Sequence, residues 1–162
     1  RGASKSRNHG WRATDRGGMK EEERAARLWA VTGRVLGACC EVHSRVGPGL
    51  LESAYSECLA RELTASTLRL ERERPIALRY RGAVVENAYR ADFIVEDLVL
   101  LEIKAVDALA RVHFAQVYTY LELTGLDIGL LVNFHATSLR NGGIKRVMRR
   151  GAAILRSRDL PP

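Results

Sequence analysis

The sequence predicts an α/β domain with a mixed central sheet flanked by helices and preceded by a long N-terminal helix. Three observations predict this fold class. Two helical patterns open the chain, several short strand-like segments follow, and a third helical pattern precedes two further strands. The predicted order is ααβββββαββ, which favours helices packed on a sheet.

The composition indicates an ordinary globular chain. Its 162 residues suit one domain, and 46% apolar with 28% charged residues argue against disordered and fibrous classes. The longest aliphatic runs are only a few residues, whereas a membrane-spanning helix needs about 20. Three cysteines match neither a disulfide framework, a zinc site nor a four-cysteine iron–sulfur cluster. We therefore expect a reduced, cytoplasmic domain without a secretory signal or membrane partner.

The net charge of +7 is concentrated at the two ends of the chain. Residues 1–18 hold five Arg or Lys and one acid, and residues 140–162 hold seven and one. We expect a disordered basic extension at 1–18, a folded domain at 19–150 and a tail at 151–162. A cationic strip attracts polyanions; the predicted phosphate contacts are Arg140, Lys145, Arg146, Arg149 and Arg150.

Apolar residues at steps of three and four predict the helices. The first runs from Lys20 to about Arg45 and stops at a Gly-Pro-Gly break, and the second spans roughly 51–65. The third spans 110–124 and ends before a glycine, which favours the left-handed conformation of a C-cap. The predicted strands are Leu68–Arg72, Ile76–Tyr80, Val84–Ala88, Tyr89–Ile94, Val99–Lys104, Asp127–Asn133 and Ile144–Met148.

Asp92, Glu102 and Lys104 are the first candidates for chemistry. Residues two apart on a strand share a face, so Glu102 and Lys104 point the same way. Two carboxylates suit a hard divalent cation, and a nearby ammonium can orient a nucleophilic water. The alternative is a surface strand with a weak salt bridge. Because the strand before Glu102 is apolar and therefore buried, the charges of Glu102 and Lys104 at its end require partners or a metal.

Strand geometry supplies a test of this hypothesis. A two-residue turn at Glu96-Asp97 would place Asp92 on the face opposite Glu102. A connection with an odd number of residues would place both carboxylates on one face. The metal hypothesis therefore requires an odd connection or a bulge.

The helices carry further polar candidates. Glu52 and Tyr55 are three residues apart and share a side of the second helix, although Tyr55 also suits a core position. His43 lies at the end of the first helix, where a histidine more often caps or packs than binds a metal. Gln116 and Tyr120 lie four apart on one face of the third helix and could contact a phosphate or the lysine.

The chain resembles the GxxExxY protein family. The signature matches Gly49-Leu50-Leu51-Glu52-Ser53-Ala54-Tyr55, in which Gly49, Glu52 and Tyr55 are the motif residues. Further matching segments include Glu41-Val42-His43, Tyr89-Arg90-Ala91-Asp92, Glu102-Ile103-Lys104-Ala105-Val106, Ala115-Gln116 and Asn133-Phe134. The similarity runs in order from about Ala30 to Met148. This family is grouped with the PD-(D/E)XK nuclease superfamily, in the branch resembling phage lambda exonuclease and RecB-type domains.

The resemblance implies a restriction-endonuclease-like core and a site of six residues: Glu52, Asp92, Glu102, Lys104, Gln116 and Tyr120. Asp92 and Glu102 would hold Mg²⁺ or Mn²⁺, with the backbone carbonyl of Ile103 and with Glu52 as further ligands. His43 would join the metal site as a helical histidine does in some relatives. Lys104 would be the catalytic lysine.

The favoured function is metal-dependent hydrolysis of nucleic-acid phosphodiester bonds, with DNA as the expected partner. One alternative is a non-catalytic nucleic-acid-binding module that retains the nuclease fold. Another is a protein-assembly module that acts through a homo-oligomer or a partner protein. The intact set of polar site residues favours the enzyme, whereas the acidic body of the chain is unusual for a protein that grips a duplex.

Overall fold

The computed structural model of the chain describes residues 20–152, in which three α-helices flank one five-stranded sheet. The helices are α1 (Glu21–Val46), α2 (Glu52–Ala65) and α3 (Arg111–Thr124). The strands are β1 (Leu70–Tyr80), β2 (Ala83–Val95), β3 (Val99–Lys104), β4 (Ile128–Asn133) and β5 (Ile144–Met148). A π-helical turn at Leu139–Gly143 precedes β5. The extension predicted at 1–18 lies outside the described residues, as does nearly all of the tail predicted at 151–162.

The sheet is mixed and its strands lie in chain order. β1, β2 and β3 are antiparallel neighbours, β3 and β4 are parallel, and β5 runs antiparallel to β4. The parallel pair requires a crossover, which α3 supplies. This arrangement confirms the predicted α/β fold class with its long N-terminal helix.

The number of strands before α3 was predicted wrongly, since five predicted segments form three strands. Leu68–Arg72 and Ile76–Tyr80 belong to the single strand β1, and Val84–Ala88 and Tyr89–Ile94 belong to β2. Pro75 does not end β1, because β1 is an edge strand and edge strands tolerate proline. A register shift beside Ile76 and the left-handed Asn87 mark a bulge within the ribbon.

The core has two parts, one on each face of the sheet. The first packs the apolar stripe of α1 and the inner face of α2 against β2, β3 and β4. The second packs α3 against the other face. β4 is buried throughout and β3 is buried up to Ile103, which explains their nearly continuous apolar sequences. None of the helices in the described residues is long and apolar enough to cross a bilayer.

The connection between β2 and β3 has three residues, Glu96–Leu98. Val95 pairs with Val99 and Phe93 pairs with Leu101. Glu96 and Asp97 both adopt the left-handed conformation that closes the turn. Because the connection is odd, continuing this register brings Asp92 opposite Glu102. The geometric requirement of the metal hypothesis is therefore met.

The β1–β2 ribbon is much longer than β3. Its outer part, residues 77–90, is here called the arm, and its residues are exposed apart from the half-buried Leu78 and Ala88. Arg81 and Gly82 both have positive φ and close a two-residue turn at its tip. Because β2 runs antiparallel to β3, the arm projects from the sheet edge at which β3 ends with Lys104.

Candidate active site

Asp92 lies where the regular pairing of β2 with β3 ends. Its carboxylate Oδ2 accepts a hydrogen bond of 2.8 Å from the backbone N–H of Ile103. Burial raises the pKa of Asp92 above its usual value. The bond from Ile103 and the charge of Lys104 oppose that rise, while the negative charges of Glu52 and Glu73 add to it. Asp92 is therefore a buried acid among other acids.

Glu102 is the most enclosed of the candidate acids, with 2% of the residue exposed. One carboxylate oxygen, Oε1, accepts a 2.6 Å hydrogen bond from Nζ of Lys104. The other, Oε2, is buried and has no hydrogen-bond partner among residues 20–152. Burial and then the charge of Asp92 raise the pKa of Glu102 to about 7, although Lys104 opposes both. This carboxyl therefore keeps its proton to a higher pH than an exposed glutamate does.

Lys104 occupies the last position of β3, beside Asn133 of β4. Burial alone lowers the pKa of its ammonium, but the hydrogen bond to Glu102 and the charges of Glu102 and Asp92 outweigh burial and raise it. The ammonium therefore stays charged at neutral pH, held between the carboxylates.

Helix α3 brings Gln116 and Tyr120 to the same region. The Gln116 amide donates a 2.7 Å hydrogen bond to the Tyr120 hydroxyl. Burial and the charges of Glu102 and Asp92 raise the pKa of Tyr120, against the opposing effects of Gln116 and Lys104. The Tyr120 side chain therefore lies within electrostatic reach of both carboxylates, at the base of the arm, where the ring of Tyr89 is 5.5 Å away.

Glu52 is the first residue of α2, and Tyr55 holds the chain that leads to it. The buried Tyr55 hydroxyl donates to the Gly47 carbonyl at 2.7 Å and accepts from the Leu50 N–H at 3.1 Å. Gly49 has a φ of +108°, which strongly favours glycine. Glu52 itself is exposed, and its charge raises the pKa of both Asp92 and Lys104. The spacing of this motif thus has a structural cause, since its tyrosine fixes the turn before its glutamate.

Comparison with known families identifies the superfamily of the chain. The model of the PD-(D/E)XK nuclease superfamily matches residues 30–147, which is most of the chain. The chain belongs to this superfamily. No curated protein matches it. A similar solved structure is the crystal structure of SSO0001, with 20% identity and a TM-score of 0.44. The alignment covers 78% of this chain and 62% of that one, so this chain spans less than two thirds of SSO0001.

Nucleases of this superfamily generally use divalent metals, and the described residues contain two carboxylates that fit one. The buried Oε2 of Glu102 lacks a partner, and a cation beside it would relieve the mutual repulsion of Glu102 and Asp92. No group of three His, Cys, Asp or Glu side chains within residues 20–152 is spaced to hold a metal. The structure therefore brings Asp92 and Glu102 together, whereas Glu52 is not close enough to form a third ligand with them and influences Asp92 through its charge.

His43 faces a backbone carbonyl. Its Nε2 lies 2.8 Å from the Ala136 oxygen, and its ring centroid is 6.4 Å from that of Phe134. Because a carbonyl accepts only, Nε2 carries the proton, and the ring ties the end of α1 to the segment after β4. Its predicted place in the metal site stays a prediction.

The basic residues near the C-terminus lie in different environments. Arg149 donates to the buried Asp127 at 2.7 Å, and the guanidinium of Arg150 lies over the Tyr118 ring. Arg146 likewise lies over Trp29. β5 runs away from the site, since its last residue pairs with the first residue of β4. Lys145 is level with the site, since it pairs with Leu131, which in turn pairs with Glu102, and Arg140 lies in the turn before β5.

Asn133 is a site-supporting residue to which sequence reasoning gave no role. Its amide donates to the Val106 carbonyl at 2.7 Å and accepts from the Val106 N–H at 3.1 Å. It also accepts from the N–H of His135. These bonds hold the chain that leaves Lys104. An asparagine ending a buried apolar strand was the available signal, because a buried amide needs several partners.

Proposed function

We propose that the protein is a Mg²⁺- or Mn²⁺-dependent nuclease that hydrolyses phosphodiester bonds, with DNA as its expected substrate. One observation carries the proposal: Asp92 lies beside Glu102, whose Oε2 is buried and unpaired while Lys104 occupies its other oxygen. A polar arrangement of this kind is costly for stability, and such costs are concentrated at functional sites.

The ligand set follows from the same contacts. Asp92 and Glu102 would hold the cation, with the Ile103 carbonyl beside them and Glu52 acting directly or through a water. His43 is a further candidate on α1. Carboxylate and carbonyl oxygens are the ligands that Mg²⁺ and Mn²⁺ prefer. When bound, the cation would polarise the phosphate and acidify a coordinated water.

The protein side chains have distinct roles in the proposed reaction. The Lys104 ammonium orients the attacking water and offsets negative charge that builds up on the phosphate. Gln116 and Tyr120, joined by their hydrogen bond, place the phosphate or the lysine. Asn133 and Tyr55 are positioning residues, because they hold the chain next to Lys104 and Glu52.

We further propose membership of the GxxExxY family, within the lambda exonuclease and RecB-like branch of the superfamily. Support comes from the motif itself, in which Tyr55 hydrogen-bonds both sides of the turn that presents Glu52. We propose that Lys145 and Arg140 contact backbone phosphates outside the pocket, since both are exposed and Lys145 is level with Glu102 across β4.

The decisive experiment compares wild-type protein with Lys104→Ala. Labelled single- and double-stranded DNA and RNA are incubated with Mg²⁺, Mn²⁺ or EDTA. Cleavage requires a metal in the wild type, and Lys104→Ala lowers its rate by about a hundredfold or more, because a preorganised charge near the phosphate is lost. Thermal melting by circular dichroism checks that the variant is folded.

The matched control is Lys20→Ala, which removes an exposed lysine at the far end of α1 and is expected to leave turnover unchanged. Unchanged turnover in Lys104→Ala would reject the assigned role. Salt-sensitive binding without cleavage under any metal would identify a binding module instead. Absence of nucleic-acid affinity together with self-association would identify an assembly module.

A further inference from the structure

The arm carries positive charge that the described structure leaves unpaired. Within residues 77–90 there are three arginines and one acid, Glu86. Arg90 lies 3.5 Å from Glu73, whereas Arg79 and Arg81 have no acidic partner among residues 20–152. Both are exposed and flank the tip of the ribbon. Exposed arginines without acids are complementary to phosphates rather than to a neutral protein surface.

An exposed aromatic ring lies between these arginines. Tyr80 is 61% exposed, and the guanidinium of Arg81 lies 5.5 Å from the centre of its ring. A large exposed ring at the tip of a two-stranded ribbon has no core to fill. Aromatic rings paired with arginine provide stacking surfaces for nucleic-acid bases.

The tyrosine faces the same side of the ribbon as the site. β1 alternates, so Tyr80 shares a side with Ile76, which is buried against the α3 cluster. Ile76 pairs with Tyr89, whose ring lies 5.5 Å from that of Tyr120. Tyr80 therefore lies about 13 Å along β1 from the level of Tyr89, on the side of the ribbon that carries the Tyr89–Tyr120 pair.

We infer that the arm binds single-stranded nucleic acid beside the site, with Tyr80 stacked on an unpaired base and Arg79 and Arg81 on flanking phosphates. This inference rests on the proposed nuclease function, since it names the substrate of that site. An unpaired base is required because the faces of bases inside a duplex are covered by their neighbours. The C-terminal strip is less suited to this task, since Asp127 neutralises Arg149 at the opposite sheet edge.

The test measures binding without turnover. Fluorescence anisotropy in EDTA follows a labelled oligothymidylate of about 20 nucleotides, longer than one binding site, and a blunt duplex of equal length. Tyr80→Ala is expected to weaken single-strand binding roughly tenfold and to leave duplex binding within about twofold, because one stacking contact is lost. Tyr80→Trp is expected to retain the affinity.

The matched control is Tyr118→Ala, which removes another tyrosine that lies under an arginine, but on α3 next to Arg150. It is expected to leave both affinities unchanged. The double variant Arg79→Ala/Arg81→Ala is expected to lower the slope of log affinity against log salt by about 1.4, because two phosphate contacts disappear.

Equal single-strand affinity in wild type and Tyr80→Ala would overturn the inference, as would a wild type that binds neither probe. The outcomes also separate the two proposals. If the protein cleaves in a metal-dependent way and Tyr80→Ala does not change single-strand affinity, the binding role of the arm is rejected and the nuclease activity is retained. If single-strand binding depends on Tyr80 but no cleavage occurs, the binding role of the arm is retained and the nuclease activity is rejected. Self-association abolished by Tyr80→Ala, without nucleic-acid binding, would assign the arm to a second copy of this chain.

Discussion

Two buried carboxylates of this protein have opposite surroundings. Asp127, just before β4, is 3% exposed, and its two oxygens accept from Arg24 at 2.5 Å and from Arg149 at 2.7 Å. Glu102, at the other end of the neighbouring strand, is 2% exposed. It has Lys104 on one oxygen, nothing on the other within residues 20–152, and a second acid beside it.

The difference separates an acid with a structural role from the acid proposed to bind the metal. Asp127 joins the start of α1 to the end of β5, and both of its oxygens are satisfied. Glu102 keeps an oxygen that only a ligand from outside the described fold would satisfy. Burial alone therefore does not set Glu102 apart, nor does an unpaired polar atom, since Nε of Arg149 is also buried without a partner among residues 20–152. What distinguishes Glu102 is an unpaired oxygen on an acid that has a second acid beside it.

The largest expected effect on stability comes from Asp127→Asn. Losing the carboxylate leaves two guanidinium groups facing a neutral amide, so the free energy of unfolding should fall by about 3 kcal/mol. Urea denaturation measures it. The control is Glu41→Gln, which breaks an exposed pair with Arg45 and should cost less than about 0.5 kcal/mol. A loss no larger than the control would remove the contrast between the two acids.

Glu102→Gln should instead raise the free energy of unfolding relative to wild type, and only at high pH. The folded-state pKa of Glu102 is about 7 against an ordinary 4.5, so the folded protein binds this proton more tightly than the unfolded chain. The contribution of Glu102 to wild-type stability is therefore largest below pH 4.5, and it is lost as the pH rises through 7. Between pH 4.5 and pH 8 the stability of the variant relative to wild type should rise by about 3 kcal/mol.

Denaturation at both pH values measures this gain, with the exposed Glu86→Gln as a control that should show no such pH dependence. If Glu102→Gln is destabilising by the same amount at both pH values, Glu102 is charged and satisfied in the folded state. The two buried carboxylates would then be alike.

The smallest expected effect is stabilisation by metal. At a concentration about ten times its Kd, Mg²⁺ should raise the free energy of unfolding by about 1.4 kcal/mol, because only the folded site binds it. The gain should be larger at pH 8 than at pH 6, since protons compete for Glu102 below its pKa of about 7. Calorimetric melting with Mg²⁺ or EDTA measures it, and Asp92→Asn should abolish it.

Much of the sheet and all three α-helices were predictable from apolar periodicity. Val99–Lys104 and Ile144–Met148 are confirmed as strands with the predicted bounds, because buried strands have strong patterns. The β1–β2 ribbon was divided wrongly, because the arm is solvated on both sides and its side chains show no alternation of burial. Pro75 added a false break that an edge strand tolerates.

The site was predictable to a different degree. The spacing of Asp92, Glu102 and Lys104 was sufficient to identify them as candidates. Whether the two carboxylates lie on one face depends on the length of the turn, which only the structure shows. The place of Asn133 at the end of a buried apolar strand indicated that its amide needs partners, but the partner could not be predicted, since Val106 is 27 residues away. The same holds for Asp127, whose partners Arg24 and Arg149 come from the two ends of the described chain.

The three-residue connection Glu96–Leu98 makes loop length a determinant of whether the two carboxylates meet. Removing one of its residues would rotate every following side chain of β3 to the opposite face relative to β2, with all six proposed site residues still present. Removing two would restore the facing. Insertions and deletions in this loop should therefore be tolerated only in even numbers, so a change four to six residues from Asp92 would disrupt the proposed metal site as fully as losing the aspartate.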